Sequence, residues 1–422
     1  MRGLTWTAVP LPLSHSCLVA PEHSLLSPLD VHRSLQSSQT DRVPNTPAPS
    51  KINEVKLSAA LAMADERADE IESGGQIPTD IADALIDSEV FRTWIPTQYG
   101  GLEGSVADML DAIERAAYHD GATGWCVMIG GTTALNAGFL APEYAELIYS
   151  DPRAVTGGFG MPAGVGTSVD GGIKVTGEWA WGSGSSHCTW FGGGVSIEGR
   201  RGAPFAFFDM DDIEFLDTWH VSGMKGTAST HYRTVDAFVP EGRWVDFAAS
   251  PEPVTDSPLY RFSFLGALAL GVSAVTLGLA ERAIDELILL GEKQPAGSSK
   301  GLAERPVIQS ELAQAEANVR SARAFVREIV DECWDTAAQE GKLAGEQKRL
   351  LRLAATNAGK RSAEAVDLCY HAGGGTSVYL SSRLQRVFRD IHVATQHGMI
   401  APRLMEPLGR MAFGLPTSTA QF

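Results

Sequence analysis

The chain has 422 residues, 44% hydrophobic and 20% charged, enough apolar material for a sizeable core and more than one domain. Its 51 acidic residues against 34 Lys and Arg give a net charge of -17, which argues against a protein that binds nucleic acid by neutralising phosphates and favours a small-molecule enzyme. Five cysteines (Cys17, Cys126, Cys188, Cys333, Cys369) lack CxxC or CxxH spacing and sit mostly in apolar sequence, so buried free thiols, a reducing cytoplasm and no metal site are expected.

Residues 1–50 are rich in Pro and Ser and follow no period, the mark of a disordered N-terminal extension, and Pro10 and Pro12 interrupt the only stretch resembling a signal peptide. From 51 to 153 a helical period returns: "KINEVKLSAALAMADERADEIESGG" closes on a Gly pair, Thr79-Asp80 starts a short helix, and "SVADMLDAIERAAYHD" follows a loop. From 154 to 250 Gly-rich turns separate short alternating runs, which predicts a β domain. From 251 to 422 helical segments broken at Pro306, near Gly345 and at "HAGGGTS" predict an antiparallel bundle. "FSFLGALALGVSAVTLGLAERAIDEL" carries small residues throughout and then turns amphipathic, so it reads as a buried bundle helix and no membrane span is expected. The class is α+β: an N-terminal helical domain, a central β domain and a C-terminal four-helix bundle.

Two stretches carry chemistry. In "TGEWAWGSGSSHCTW" the strand period places Gly177, Trp179, Trp181 and Ser183 on one face. An aromatic followed by a hydroxyl suits a planar heterocycle; a core tryptophan beside a turn serine is the plainer alternative. In "FRDIHVATQHGMIAP" a continuous helix sets Asp390 and His397 on one face, two turns and about 10 Å apart, too far for a direct bond. His397 then either serves a group outside its helix or packs.

Together with "FRTWIPTQYGGLEG", "WHVSGMKGTASTHYRTVDAFVPEGRW" and "YHAGGGTSVYLSSRLQRVFRDIHVATQHG", these stretches resemble the acyl-CoA dehydrogenase fold over roughly residues 52 to 412. Within it they look most like the oxygenase components of two-component flavin-dependent monooxygenases of the 4-hydroxyphenylacetate and steroid-ring hydroxylase type. The resemblance implies a homotetramer that uses reduced flavin (FMNH2 or FADH2) and O2. A separate NAD(P)H flavin reductase is expected too, since no GxGxxG follows a strand and opens a helix.

It implies further that Trp181 lies by the isoalloxazine, Ser183 lies near flavin N5, and Gly373, Gly374, Arg386 and Arg389 belong to the segment closing over the cofactor. An Arg389–Asp390 ion pair between helices is the alternative. Where the dehydrogenases carry a catalytic glutamate before a glycine, this chain has Gln396-His397-Gly398. His397 is therefore expected to act as a base toward a substrate hydroxyl, with activity titrating near neutrality. Arg261 and Phe264, one helical turn apart, resemble positions lining the substrate cavity, as an anion contact and an aromatic wall; a surface or interface ion pair is the alternative for Arg261. The implied activity is hydroxylation of a small aromatic substrate through a flavin C4a-hydroperoxide. An acyl-CoA dehydrogenase-type FAD oxidoreductase and a flavin-binding relative without catalysis are the alternatives.

Overall fold

The computed structural model describes residues 51–294, 299–339 and 341–418; the extension expected over 1–50 lies outside them. The first block is helical: α1 (Glu54–Glu66), α2 (Ala68–Gly74), α3 (Thr79–Asp87), α4 (Val106–His119), α5 (Gly121–Ala134) and α6 (Pro142–Tyr149). Side-chain caps set the ends that matter for the site. Ser105 and Asp108 form a reciprocal capping box on α4, and Asp120 caps α5 by accepting from the Thr123 N–H at 2.7 Å. α5 is buried on nearly every side, which leaves it no amphipathic signature.

Strands β1 (Thr156–Val169), β2 (Gly172–Gly182), β3 (Trp190–Ile197), β4 (Phe205–Phe208), β5 (Glu214–Leu216), β6 (Thr230–Pro240) and β7 (Trp244–Val245) form one sheet in the order β5-β6-β2-β1-β3-β4-β7. β1 pairs antiparallel with β2 and parallel with β3. Trp179 anchors the inner face: fully buried, it stacks on Tyr232 at 5.4 Å and donates its indole N–H to the Gly194 carbonyl at 2.9 Å. The pairing is irregular between Phe159 and Gly164 in β1 and between Trp179 and Gly182 in β2. Such bulges re-aim the side chains beside them.

The last block holds α7 (Pro258–Arg261), α8 (Phe264–Leu289), α9 (Pro306–Gln339), α10 (Gly345–Ala372), α11 (Arg383–Ala394) and α12 (Met405–Ala412). α8 to α11 form the expected four-helix bundle. α8 is long and apolar enough to cross a membrane, yet it is mostly buried, against α4, α5 and the other three bundle helices. A β-carbon on its Gly278 would sit 2.2 Å from the Glu114 carbonyl oxygen, so glycine is what lets α4 and α8 cross backbone to backbone. The four described cysteines are free and buried.

Candidate functional site

The expected alternation of β2 fails at the residue that matters. Trp181 has φ of 60°, in the left-handed region, and the bulge turns it away from Trp179: Trp179 is fully buried, whereas Trp181 is 56% exposed. The two tryptophans therefore do not share a face. A non-glycine residue held at positive φ costs on the order of 1–3 kcal/mol, and such strain gathers at functional sites. Phe159, from the bulged part of β1, meets the Trp181 ring edge-on at 5.3 Å, which makes an open aromatic shelf.

Ser183, just past the end of β2, is buried, with its N–H donating to the Trp181 carbonyl at 2.9 Å. Its hydroxyl accepts from the Trp125 indole N–H at 3.0 Å and contacts the Ser229 hydroxyl at 2.6 Å. Ser229 contacts Thr227 at 2.6 Å, and Thr227 donates to the Met224 carbonyl at 2.8 Å. The segment carrying these hydroxyls is clamped onto α11. Asp390 accepts from the Met224 N–H at 2.5 Å, Arg389 donates to the Ser222 carbonyl, and a β-carbon on Gly223 would lie 2.5 Å from the Arg389 backbone. Burial, with Asp120 nearby, pushes the Asp390 carboxyl up to about 7.

His397 comes to the same cluster by a route other than the expected helix face. α11 ends at Ala394, where the Thr395 hydroxyl bonds back to the Ile391 carbonyl at 2.8 Å, and His397 lies in the turns that follow. There its ring meets the Trp125 indole edge-on at 5.5 Å. Trp125 thus joins Ser183, through its N–H, to His397, through its ring.

The Met399 N–H donates to His397 Nδ1 at 3.3 Å, so the neutral ring carries its proton on Nε2, which has no partner among the described residues. Burial, reinforced by the positive charge of Arg352, lowers the ring to about 4. That lies below the expected titration near neutrality and favours the neutral imidazole. Arg352 is itself fully buried, donating to the Leu265 carbonyl at 3.4 Å and the Met399 sulfur at 3.5 Å.

The remaining candidates lie apart from this cluster. Arg386 pairs with Asp69 and with Glu72 at 2.9 Å; Arg389 pairs with Glu72 at 2.5 Å. Both guanidiniums tie α11 to α2, and the alternative Arg389–Asp390 pair does not form. Gly373 caps α10, and Gly374, at φ of 55°, opens the turn beyond it with nothing within 4 Å of where a β-carbon would stand. Arg261 and Phe264 do not share a helix, since the chain breaks at Phe262-Ser263 between α7 and α8. Arg261 pairs with Asp256 and donates to the Ala337 carbonyl at 3.0 Å, whereas Phe264 stacks on Phe247 at 4.1 Å and lines a small apolar cavity with Phe139 and Tyr260. Sequence reasoning missed Trp125, Thr227, Ser229 and Arg352.

Residues 270–402 match the family model "Acyl-CoA dehydrogenase, C-terminal domain". The chain is similar to an indole-3-acetate monooxygenase of Pseudomonas putida, 31% identical over 354 residues, covering 82% of this chain and 90% of that one. It is also similar to a flavin-dependent monooxygenase oxygenase subunit of Rhodococcus jostii, 28% identical, covering 86% and 98%. Among solved structures, a 3-HSA hydroxylase from Rhodococcus sp. RHA1 superposes with a TM-score of 0.84 at 26% identity, over 88% of this chain and 99% of that one.

Proposed function

From the premise that the chain belongs to the flavin-dependent monooxygenases of acyl-CoA dehydrogenase fold, as an oxygenase component, we propose that its flavin and its substrate meet at the Trp181–Ser183–Trp125–His397 cluster. As an oxygenase component it takes reduced flavin from a separate reductase and acts on a small molecule. The observation that carries the placement is Trp125, which bonds Ser183 and touches His397 at once.

The residues fit a flavin ring. Trp181 and Phe159 offer an exposed aromatic edge in strained backbone, and Ser183 offers a buried hydroxyl beside it. When bound, the reduced flavin supplies the activation of O2 and the oxygen atom transferred. Trp181 and Phe159 would flank the ring, and Ser183 Oγ would meet N5. Buried apolar neighbours keep water from the hydroxyls behind it.

The proposed substrate is a small aromatic carrying a hydroxyl, held at His397. With its proton on Nε2, the neutral ring donates to the hydroxyl oxygen and orients the substrate. Taking the hydroxyl proton at Nε2 would require the ring to move its own proton to Nδ1 and give up the Met399 contact. A homotetramer is the proposed assembly, supported by the exposed apolar run Val378, Tyr379 and Leu380 beside the Gly373–Gly374 turn. A cytoplasmic location is proposed on the four buried free thiols.

The test is to supply reduced FAD or FMN and O2 with a panel of phenols and indoles, and to measure hydroxylated product against hydrogen peroxide. His397→Ala should lose product roughly 10²-fold while oxygen is still consumed and peroxide released. Normal hydroxylation by that variant would remove His397 from the site.

A further inference from the structure

The hydroxyl chain behind Ser183 has one consistent direction. Its far end is the Met224 carbonyl, which only accepts and also takes the Trp219 indole N–H at 3.1 Å and the Thr227 N–H at 3.2 Å. The Thr227 hydroxyl oxygen stands 2.8 Å from it, a contact that needs a proton between the two oxygens, and only Thr227 can supply it. Thr227 Oγ1 must then accept across its 2.6 Å contact with Ser229, and Ser229, its own proton spent, accepts from Ser183 across the next 2.6 Å contact. From the other side Trp125 Nε1, which only donates, bonds Ser183 Oγ at 3.0 Å. Ser183 therefore commits its proton inward and keeps one acceptor lone pair for a ligand.

Reversing the chain would leave two oxygens 2.8 Å apart at Thr227 and Met224 with no proton between them. Thr227, Ser183 and Ser229 are all buried, so water does not reset the direction.

We propose that Thr227 and Ser229 are positioning residues that fix the Ser183 hydroxyl as an acceptor, so that the site selects a flavin whose N5 carries a hydrogen. Reduced flavin has that N–H; oxidised flavin presents only a lone pair at N5, which meets the Ser183 lone pair unfavourably. Selectivity between the two redox states is thus written into the two hydroxyls that follow Ser183 in the chain. The inference rests on the reading that Ser183 faces N5.

Thr227→Val keeps the side-chain shape and removes the oxygen. Ser229 then has Ser183 as its acceptor, and the Ser183 proton is released toward the ligand. The experiment measures dissociation constants of oxidised FAD aerobically and of reduced FAD anaerobically, for the full chain and each variant, and repeats both with FMN. The oxidised-to-reduced ratio should fall about tenfold in Thr227→Val and in Ser229→Ala, while Thr227→Ser, which restores the hydroxyl, keeps the wild-type ratio. Thermal melts check folding, and Ser229→Ala decides where Thr227→Val does not fold. An unchanged ratio in the folded variants, with Ser183→Ala still weakening reduced flavin, overturns the relay alone. Ser183→Ala without effect on either redox state overturns the placement of Ser183, and the relay with it.

Discussion

The histidine at the centre of the proposed site should leave a signature in the stability of the protein that is independent of its chemistry. Burial and the charge of Arg352 lower His397 from its ordinary 6.5 to about 4. In the unfolded chain His397 takes a proton as pH falls through 6.5, whereas the folded ring stays neutral until about 4. Its stabilising contribution is therefore complete above pH 6.5 and is lost between 6.5 and about 4. That gap corresponds to about 3 kcal/mol. Urea unfolding of flavin-free wild type and His397→Gln, at about pH 7.5 and about pH 4.5, isolates it, because every other titrating group is shared. The wild type should lose roughly 2 to 3 kcal/mol more than the variant on acidification. Removing the charge in Arg352→Met should shrink the difference only in part, since burial is the larger cause. Equal losses in wild type and His397→Gln would show that the ring titrates normally and that the neutral imidazole of the site is wrong.

Asp390 predicts the opposite slope: its carboxyl stays protonated in the fold up to about 7 while the unfolded chain ionises above 3.8, so stability falls as pH rises through that window. Asp390→Asn keeps an oxygen for the Met224 N–H and should flatten the fall, worth on the order of 4 kcal/mol, in unfolding curves at about pH 4 and pH 8. Trp125→Phe removes the indole N–H yet keeps a ring against His397, and a double-mutant cycle with Ser183→Ala should give a coupling of about 1 kcal/mol. Strict additivity would deny the bond. Gly223→Ala forces a methyl within 2.5 Å of the Arg389 backbone, which cannot swing aside, and should cost about 1–3 kcal/mol by thermal melt; an unchanged melting temperature would mean the segment is not clamped to α11.

The order of helical, β and helical blocks was legible because periodicity changes sharply near residues 154 and 250, and helices of the length of α8 to α11 announce themselves by their breaks. As candidates, Ser183 and His397 were legible from motifs. What joins them was not. Trp125 lies on a helix buried on nearly all sides, where no polar face marks one residue as special, and its partner is 58 positions away. Ser229 bonds Ser183 across 46 positions, a pairing that only the β2–β6 ladder creates.

Backbone departures account for the other misses. The left-handed Trp181 reverses the strand alternation, and the end of α11 at Ala394 takes His397 off the expected face. The break at Phe262-Ser263 likewise separates Arg261 from Phe264. Each is a local interruption of a regular period, and regular periods are what a sequence reading extrapolates.

The placement of flavin and substrate is tested most directly by a crystal structure of the full chain with reduced flavin bound anaerobically. The isoalloxazine should lie against Trp181, with N5 about 3 Å from Ser183 Oγ and His397 Nε2 facing the space above the ring. A flavin seated away from Ser183, with Trp125 and His397 remote from its ring, would contradict the site.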